Sequence, residues 1–268
     1  MGYPLRIDHS EFARLDRQAR ALRPATRLIL EMAGLREGMR VLDLGTGAGD
    51  LALIARELVG PSGQVTGIDR SPDAVARATA RAESEGLTNV TFRVQDMQHP
   101  GEETVDAVIG RLVLMYPGQP EQVLREHAAN LAAGGVVVAI EFDVFSCRSL
   151  PTTPLVDHFV ASLGEAFVRG GVEMSMGPRL WALLTAAGLE PAGMIGVQPH
   201  FGPEDADGVD LLDGILRSSA PLIERTGMVV TDDLRPDGFA DRLAAELAGA
   251  RAVLAYPMLF GAWGTPAV

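Results

Sequence analysis

An α/β fold with a parallel sheet covered by helices on both faces is what this 268-residue sequence predicts, and three observations lead there. Short runs, MRVLDL, QVTGID, NVTFRVQD, VDAVIG and GVVVAIEF, alternate with stretches of helical periodicity, the pattern of a strand followed by a crossover helix. Most of these runs are apolar nearly throughout, as strands buried on both faces must be. A turn with glycine at alternate positions, Gly45, Gly47 and Gly49, follows the first run and opens a helix, the arrangement of a nucleotide-cradling loop.

Taken in order, His9 to Leu22 and Ala25 to Leu35 carry apolar residues at helical spacing and predict two helices ahead of the first strand. Helices are expected between strands over Asp50 to Val59, Pro72 to Glu85 and Pro120 to Ala133. After Asp143 the regularity loosens, and SLPTTPLVDHFVASLGEAFVRGG predicts a turn and an amphipathic helix with the character of a lid. A helix over Arg179 to Ala187, a strand over Glu190 to Val197, helices over Pro203 to Thr226 and Asp237 to Ala248, and a last strand over Ala252 to Phe260 complete the chain. We read one domain over 1–268: a helical cap over 1–36, a cofactor-binding core over 37–143, a lid over 144–178, and a C-terminal part over 179–268.

Composition narrows the function classes. A hydrophobic fraction of 47% excludes general disorder, and no stretch approaches the roughly 18 apolar residues of a membrane helix. A charged start and a lone Cys147 favour a cytoplasmic setting. The net charge of -12 disfavours nucleic acid. All 23 basic residues are arginine, which excludes an internal Schiff-base lysine and a phosphate-binding loop of the Walker type.

Around the glycine turn, the dinucleotide fingerprint asks for a third glycine where Asp50 stands, and a pyrophosphate beside that carboxylate would be repelled. Asp43 ends the first strand and suits a cationic ligand. Asp69 ends the second strand, about 20 residues beyond the last glycine, where a carboxylate accepts both hydroxyls of a ribose.

The ordered stretches VLDLGTGAGD, VTGIDRSPDAV, VTFRVQDM and VDAVIGRLVLMY resemble the successive motifs of class I S-adenosylmethionine-dependent methyltransferases of the bacterial small-molecule type, over roughly residues 1 to 200. The resemblance implies a Rossmann-like, doubly wound seven-stranded sheet with its last strand antiparallel, and S-adenosyl-L-methionine as cofactor. It assigns Asp43, Gly45, Thr46, Gly47 and Gly49 to the methionine part, Asp69 with Arg70 to the ribose, and Asp96 with Met97 to the adenine. Gly110 and Arg111 would close over the methionine end. GYPL and EFARLDRQA are similar to the capping first helix of such enzymes, which makes Tyr3 a substrate contact and Gln18 a cofactor contact.

Methyl transfer from a sulfonium is an in-line displacement that demands alignment, exclusion of water and, for some acceptors, a base. Glu141, which shares a strand face with Asp143, is a candidate base, as are His158 on the lid helix, His200 and Tyr116. Met115 and Phe145, with Met174 and Met176, offer a soft apolar wall for a substrate. His99 and His127 are read as solvated, and no metal is expected. The expected partner is a small, largely apolar acceptor of indole, terpenoid or polyketide type, methylated on carbon, oxygen or nitrogen in specialised metabolism by a monomer or homodimer. A rival keeps the cofactor without the transfer, as a cyclase of methyltransferase fold. A third reading is a non-catalytic cofactor-binding module.

Overall fold

A computed structural model describes residues 9–116, 118–227 and 231–267, with side chains from Arg14 onward. The chain forms two compact units. A sheet unit comprises Arg23–Glu141, Gly177–Gly196 and the segment from Phe260 onward; a helical unit comprises the described residues up to Leu22, Phe142–Met176 and Val197–Leu259. The division at Leu22 falls earlier in the sequence than the expected end of a cap at residue 36.

The first helix, α1 (His9–Met32), is continuous where two were expected. Pro24 lies inside it, but Gln18, Leu22, Ala25 and Ile29 are buried at spacings of three and four, so the buried stripe passes the exposed proline without losing phase. Then come β1 (Arg40–Leu44), α2 (Asp50–Val59), β2 (Gln64–Asp69), α3 (Pro72–Ser84), β3 (Val90–Val94), β4 (Val105–Arg111), α4 (Pro120–Ala128) and β5 (Leu131–Asp143). Ser71 caps α3 by accepting from the Ala74 amide at 3.3 Å, and Pro72 takes the first turn, where its missing N–H costs nothing. α4 stops five residues before the expected Ala133, because Leu131 already pairs with Val105 in the sheet.

After β5 follow β6 (Arg148–Leu150), α5 (Pro154–Arg169), α6 (Met176–Ala186), β7 (Leu189–Val197), β8 (His200–Phe201), α7 (Ala206–Thr226), α8 (Phe239–Ala250), β9 (Val253–Ala255) and β10 (Met258–Pro266). The seven-stranded sheet has the order β3-β2-β1-β4-β5-β10-β7, parallel through β5 and with the last strand antiparallel, as expected. In the helical unit, α7 packs on α5 and α8, and the Phe159 and Phe239 rings stack at 5.6 Å between α5 and α8.

The expected single strand over Ala252 to Phe260 is two strands. β9 joins β6 and β8 in a small antiparallel sheet, whereas β10 enters the large one. Pro257 sits between them, and a residue without an N–H interrupts a ladder at that point.

β1 lies between β2 and β4, so the crossovers from β1 and toward β4 leave the sheet in opposite directions. Such a reversal opens a crevice at the carboxyl ends of the two strands. Asp43 is opposite Gly67 on one side and Ile109 on the other. Gly67 leaves room for its neighbours, since a Cβ there would lie 2.6 Å from both the Phe92 ring and the Thr46 hydroxyl. Gly67→Val is therefore expected to cost about 1–3 kcal/mol in urea unfolding, with a loss under 0.5 kcal/mol contradicting this packing.

Candidate functional site

The carboxyl end of β1 is built around a buried acid. Asp43 has no exposed surface; its Oδ2 accepts the Thr46 hydroxyl at 2.7 Å, while Oδ1 has no hydrogen-bond partner. Burial pushes its pKa from 3.8 to about 7, opposed by the Thr46 bond and by the Arg111 charge. The turn then runs over Gly45, Gly47 and Gly49, all at positive φ. At Gly45 a Cβ would overlap the Val113 side chain, whereas at Gly47 it would meet nothing within 4 Å. The Gly47 position is thus the place where backbone lies open to a ligand.

Asp69 closes the other side. Its Oδ2 accepts the Gly47 amide at 3.0 Å and its Oδ1 the Ser71 amide at 2.9 Å, so the ends of β1 and β2 are tied through one carboxylate. Arg70 next to it is exposed. Asp50, where the dinucleotide pattern has glycine, pairs with Arg81 at 2.6 Å. Its charge is thus matched by that of Arg81.

At the end of β4, the half-buried Arg111 donates to the Thr26 hydroxyl of α1 at 3.0 Å. Burial lowers its pKa, opposed by the charges of Asp50 and Asp43. The following loop carries Met115, which is buried, and Tyr116, half-buried with its amide donating to the Val113 carbonyl at 3.4 Å. Glu141 of β5 is completely buried; its Oε1 accepts the amides of Val113 at 2.8 Å and Leu114 at 2.6 Å. Burial raises its pKa from 4.5 to about 8, against the pull of those two bonds. Sequence reasoning had no signal for this bond, because the partners lie 27 and 28 residues upstream.

After β3, Asp96 is exposed and accepts the Gln98 amide at 3.0 Å. The Met97 carbonyl accepts from His127 Nε2 at 2.8 Å. His127, expected to be solvated, is buried on α4 with Val123 and Leu124, and burial lowers its pKa. Its spacing of four from Val123 was the signal available in the sequence.

The remaining candidates belong to the helical unit. Gln18 is buried and accepts from Arg14 at 2.7 Å. Phe145 is 51% exposed, with its ring against Gly164 of α5. His158 Nδ1 lies 2.7 Å from Asp233 Oδ2, and His200, exposed, bonds the Gln198 carbonyl at 2.9 Å. Met174 and Met176 are buried. Tyr3 lies outside the described residues. Among the described residues no group of three or more His, Cys, Asp or Glu stands together as a metal centre, and no helix is long and apolar enough to cross a membrane.

The two buried acids give the free protein a defined pH response. Their folded pKa values exceed the unfolded ones, so each stabilising contribution is complete below about pH 4 and is lost as pH rises, through about 7 for Asp43 and about 8 for Glu141. Asp43→Asn keeps an oxygen for Thr46 and is expected to flatten this decline by on the order of 1 kcal/mol per pH unit between pH 4 and 7. Urea unfolding at several pH values reads it, and an unchanged slope contradicts a neutral buried carboxyl.

Comparison with known proteins bears on this arrangement. Residues 35–166 match the model of a family described as methyltransferase domain. Arsenite methyltransferase of Halobacterium salinarum is 33% identical over 107 residues, covering 39% of this chain and 27% of that protein. Aklanonic acid methyltransferase DauC of Streptomyces sp. (strain C5) is 32% identical over 133 residues, covering 49% of this chain and 60% of its own length. The chain thus spans less than two thirds of either relative. The solved structure of the cyclase SpnF shares the fold with a TM-score of 0.57 at 20% identity, over 91% of this chain and 81% of that one. Residues 35–166, which hold the glycine turn between β1 and α2 and the acid at the end of β2, thus carry a methyltransferase domain of the class I S-adenosylmethionine-dependent type.

Proposed function

We propose that the protein transfers a methyl group from S-adenosylmethionine to a small, largely apolar acceptor in specialised metabolism. The orphaned Oδ1 of Asp43 is the observation that carries the cofactor reading: a fully buried carboxyl oxygen without a donor is poorly satisfied until a cationic group reaches it. The residues fit such a nucleoside. Asp43, Thr46 and the open backbone at Gly47 would hold the methionine part, Asp69 the ribose, and the Asp96–Met97 turn the adenine. When bound, the sulfonium supplies an electrophilic methyl group.

The protein's own part is alignment and exclusion of water. Arg111, fixed by Thr26, contributes charge beside Asp43, and the buried Val113, Leu114 and Met115 supply an apolar surface. His127 holds the Met97 carbonyl and so fixes the turn assigned to adenine. A polyketide-type acceptor with an acid group is in keeping with one relative, an aklanonic acid methyltransferase. Met115 and Phe145 remain the proposed acceptor contacts, and Tyr116, His158, held by Asp233, and His200 the proposed bases.

The fold shared with SpnF makes cyclisation the second reading. Incubation with isotope-labelled S-adenosylmethionine and a panel of aromatic polyketides separates the two. A gain of one methyl group in the acceptor with matching formation of S-adenosylhomocysteine is expected; a rearranged acceptor with the cofactor intact supports the cyclase and overturns the transfer. Asp69→Ala is expected to weaken S-adenosylhomocysteine binding by about 1–3 kcal/mol in calorimetry, through loss of the acceptor for the ribose hydroxyls, and unchanged affinity contradicts the ribose assignment.

A further inference from the structure

The loop after β4 has a backbone conformation that needs explanation. Leu112 adopts φ +56°, a left-handed geometry that a leucine side chain disfavours, and its amide donates to the Ile140 carbonyl at 2.8 Å. The next two amides, of Val113 and Leu114, converge on the single oxygen Oε1 of Glu141. Successive N–H groups that point to one side form a small concave donor site, and here the acceptor is built into the neighbouring strand. Without it, two amides at buried residues would lack partners.

The loop so held presses on the glycine turn. The Val113 side chain occupies the space that a Cβ on Gly45 would need, and lies 3.0 Å from a Cβ placed on Gly110. A line of contact therefore runs from Glu141 through the Val113 and Leu114 amides to the first glycine after Asp43. All these residues belong to the sheet unit.

We propose that Glu141 is a positioning residue: by accepting the Val113 and Leu114 amides it sets the loop against Gly45 and so shapes the methionine end of the cofactor site, working as a hydrogen-bond acceptor and not as a proton acceptor. The inference rests on the cofactor reading above. Oε1 is committed to two N–H groups, and Oε2 is buried and has no hydrogen-bond partner. A side-chain amide offers the same oxygen to the same donors, so the conservative variant separates this role from that of a base.

The test is calorimetric titration of the full chain with S-adenosylhomocysteine and with 5′-methylthioadenosine, which lacks the amino-acid end. Glu141→Gln is expected to hold both affinities within about twofold, and Glu141→Ala to weaken S-adenosylhomocysteine by about tenfold or more with methylthioadenosine within about twofold. Val113→Ala, which keeps both amide bonds and loses the contact at Gly45, is expected to show the same selective loss at about threefold, and it carries the test if Glu141→Ala does not fold. Equal losses for the two ligands, unaltered binding in both Glu141→Ala and Val113→Ala, or a Glu141→Gln variant as impaired as Glu141→Ala overturns the positioning role. A wild-type chain that binds neither ligand overturns the cofactor reading itself, a result distinct from variants that fail to separate two ligands the wild type binds.

Discussion

Everything gathered at the site depends on one divergence of the chain: the connections that flank β1 and β4 leave the sheet on opposite sides. Backbone groups at those two strand ends are consequently not covered by a crossover, and the chain fills the space with a turn of glycines and with side chains that reach in from neighbours. Asp43 and Asp69 come from the strands themselves, while Thr26, Val113 and Glu141 reach the same edge from α1, the β4 loop and β5. The site is therefore a property of the sheet order, and each element beside it has a share in its shape.

Local chemistry was the legible part. The strands from β1 to β5, the glycine turn and the acid at the end of β2 could be read because each signal lies within a few residues of the feature it reports, or at a fixed spacing from it. Features that depend on distant partners were hidden. Glu141 reads as an acid at a strand end, and only the folded chain shows two amides from the β4 loop upon it. His127 reads as a polar residue beside Glu126, yet it lies on the buried face of α4 with Val123 and Leu124. The gap expected between Leu22 and Ala25 is overridden by the continuous buried stripe of α1, and Pro257, within a run expected to be one strand, divides it in two. The strands β6 and β8, of three and two residues, are too short to leave a periodic trace.

Three acids near the carboxyl edge show how environment separates like groups. Asp69 spends both oxygens on backbone amides, Asp50 meets Arg81, and Asp43 has a single hydroxyl donor and complete burial. Burial pushes Asp43 toward the neutral form, and its remaining oxygen has no donor. The same residue type thus ties two strand ends at Asp69, matches a charge at Asp50 and stands buried with an open oxygen at Asp43.

The neutral Asp43 carboxyl sets a practical opposition between keeping the empty protein and loading it. Below about pH 7 the buried carboxyl is neutral and adds to the stability of the empty protein, yet offers a positive guest little; above it the charged oxygen suits such a guest while this contribution to the empty fold is lost. Storage and crystallisation of the empty form call for the first condition, and preparation of complexes for the second, with the guest itself making good the stability that the higher pH removes.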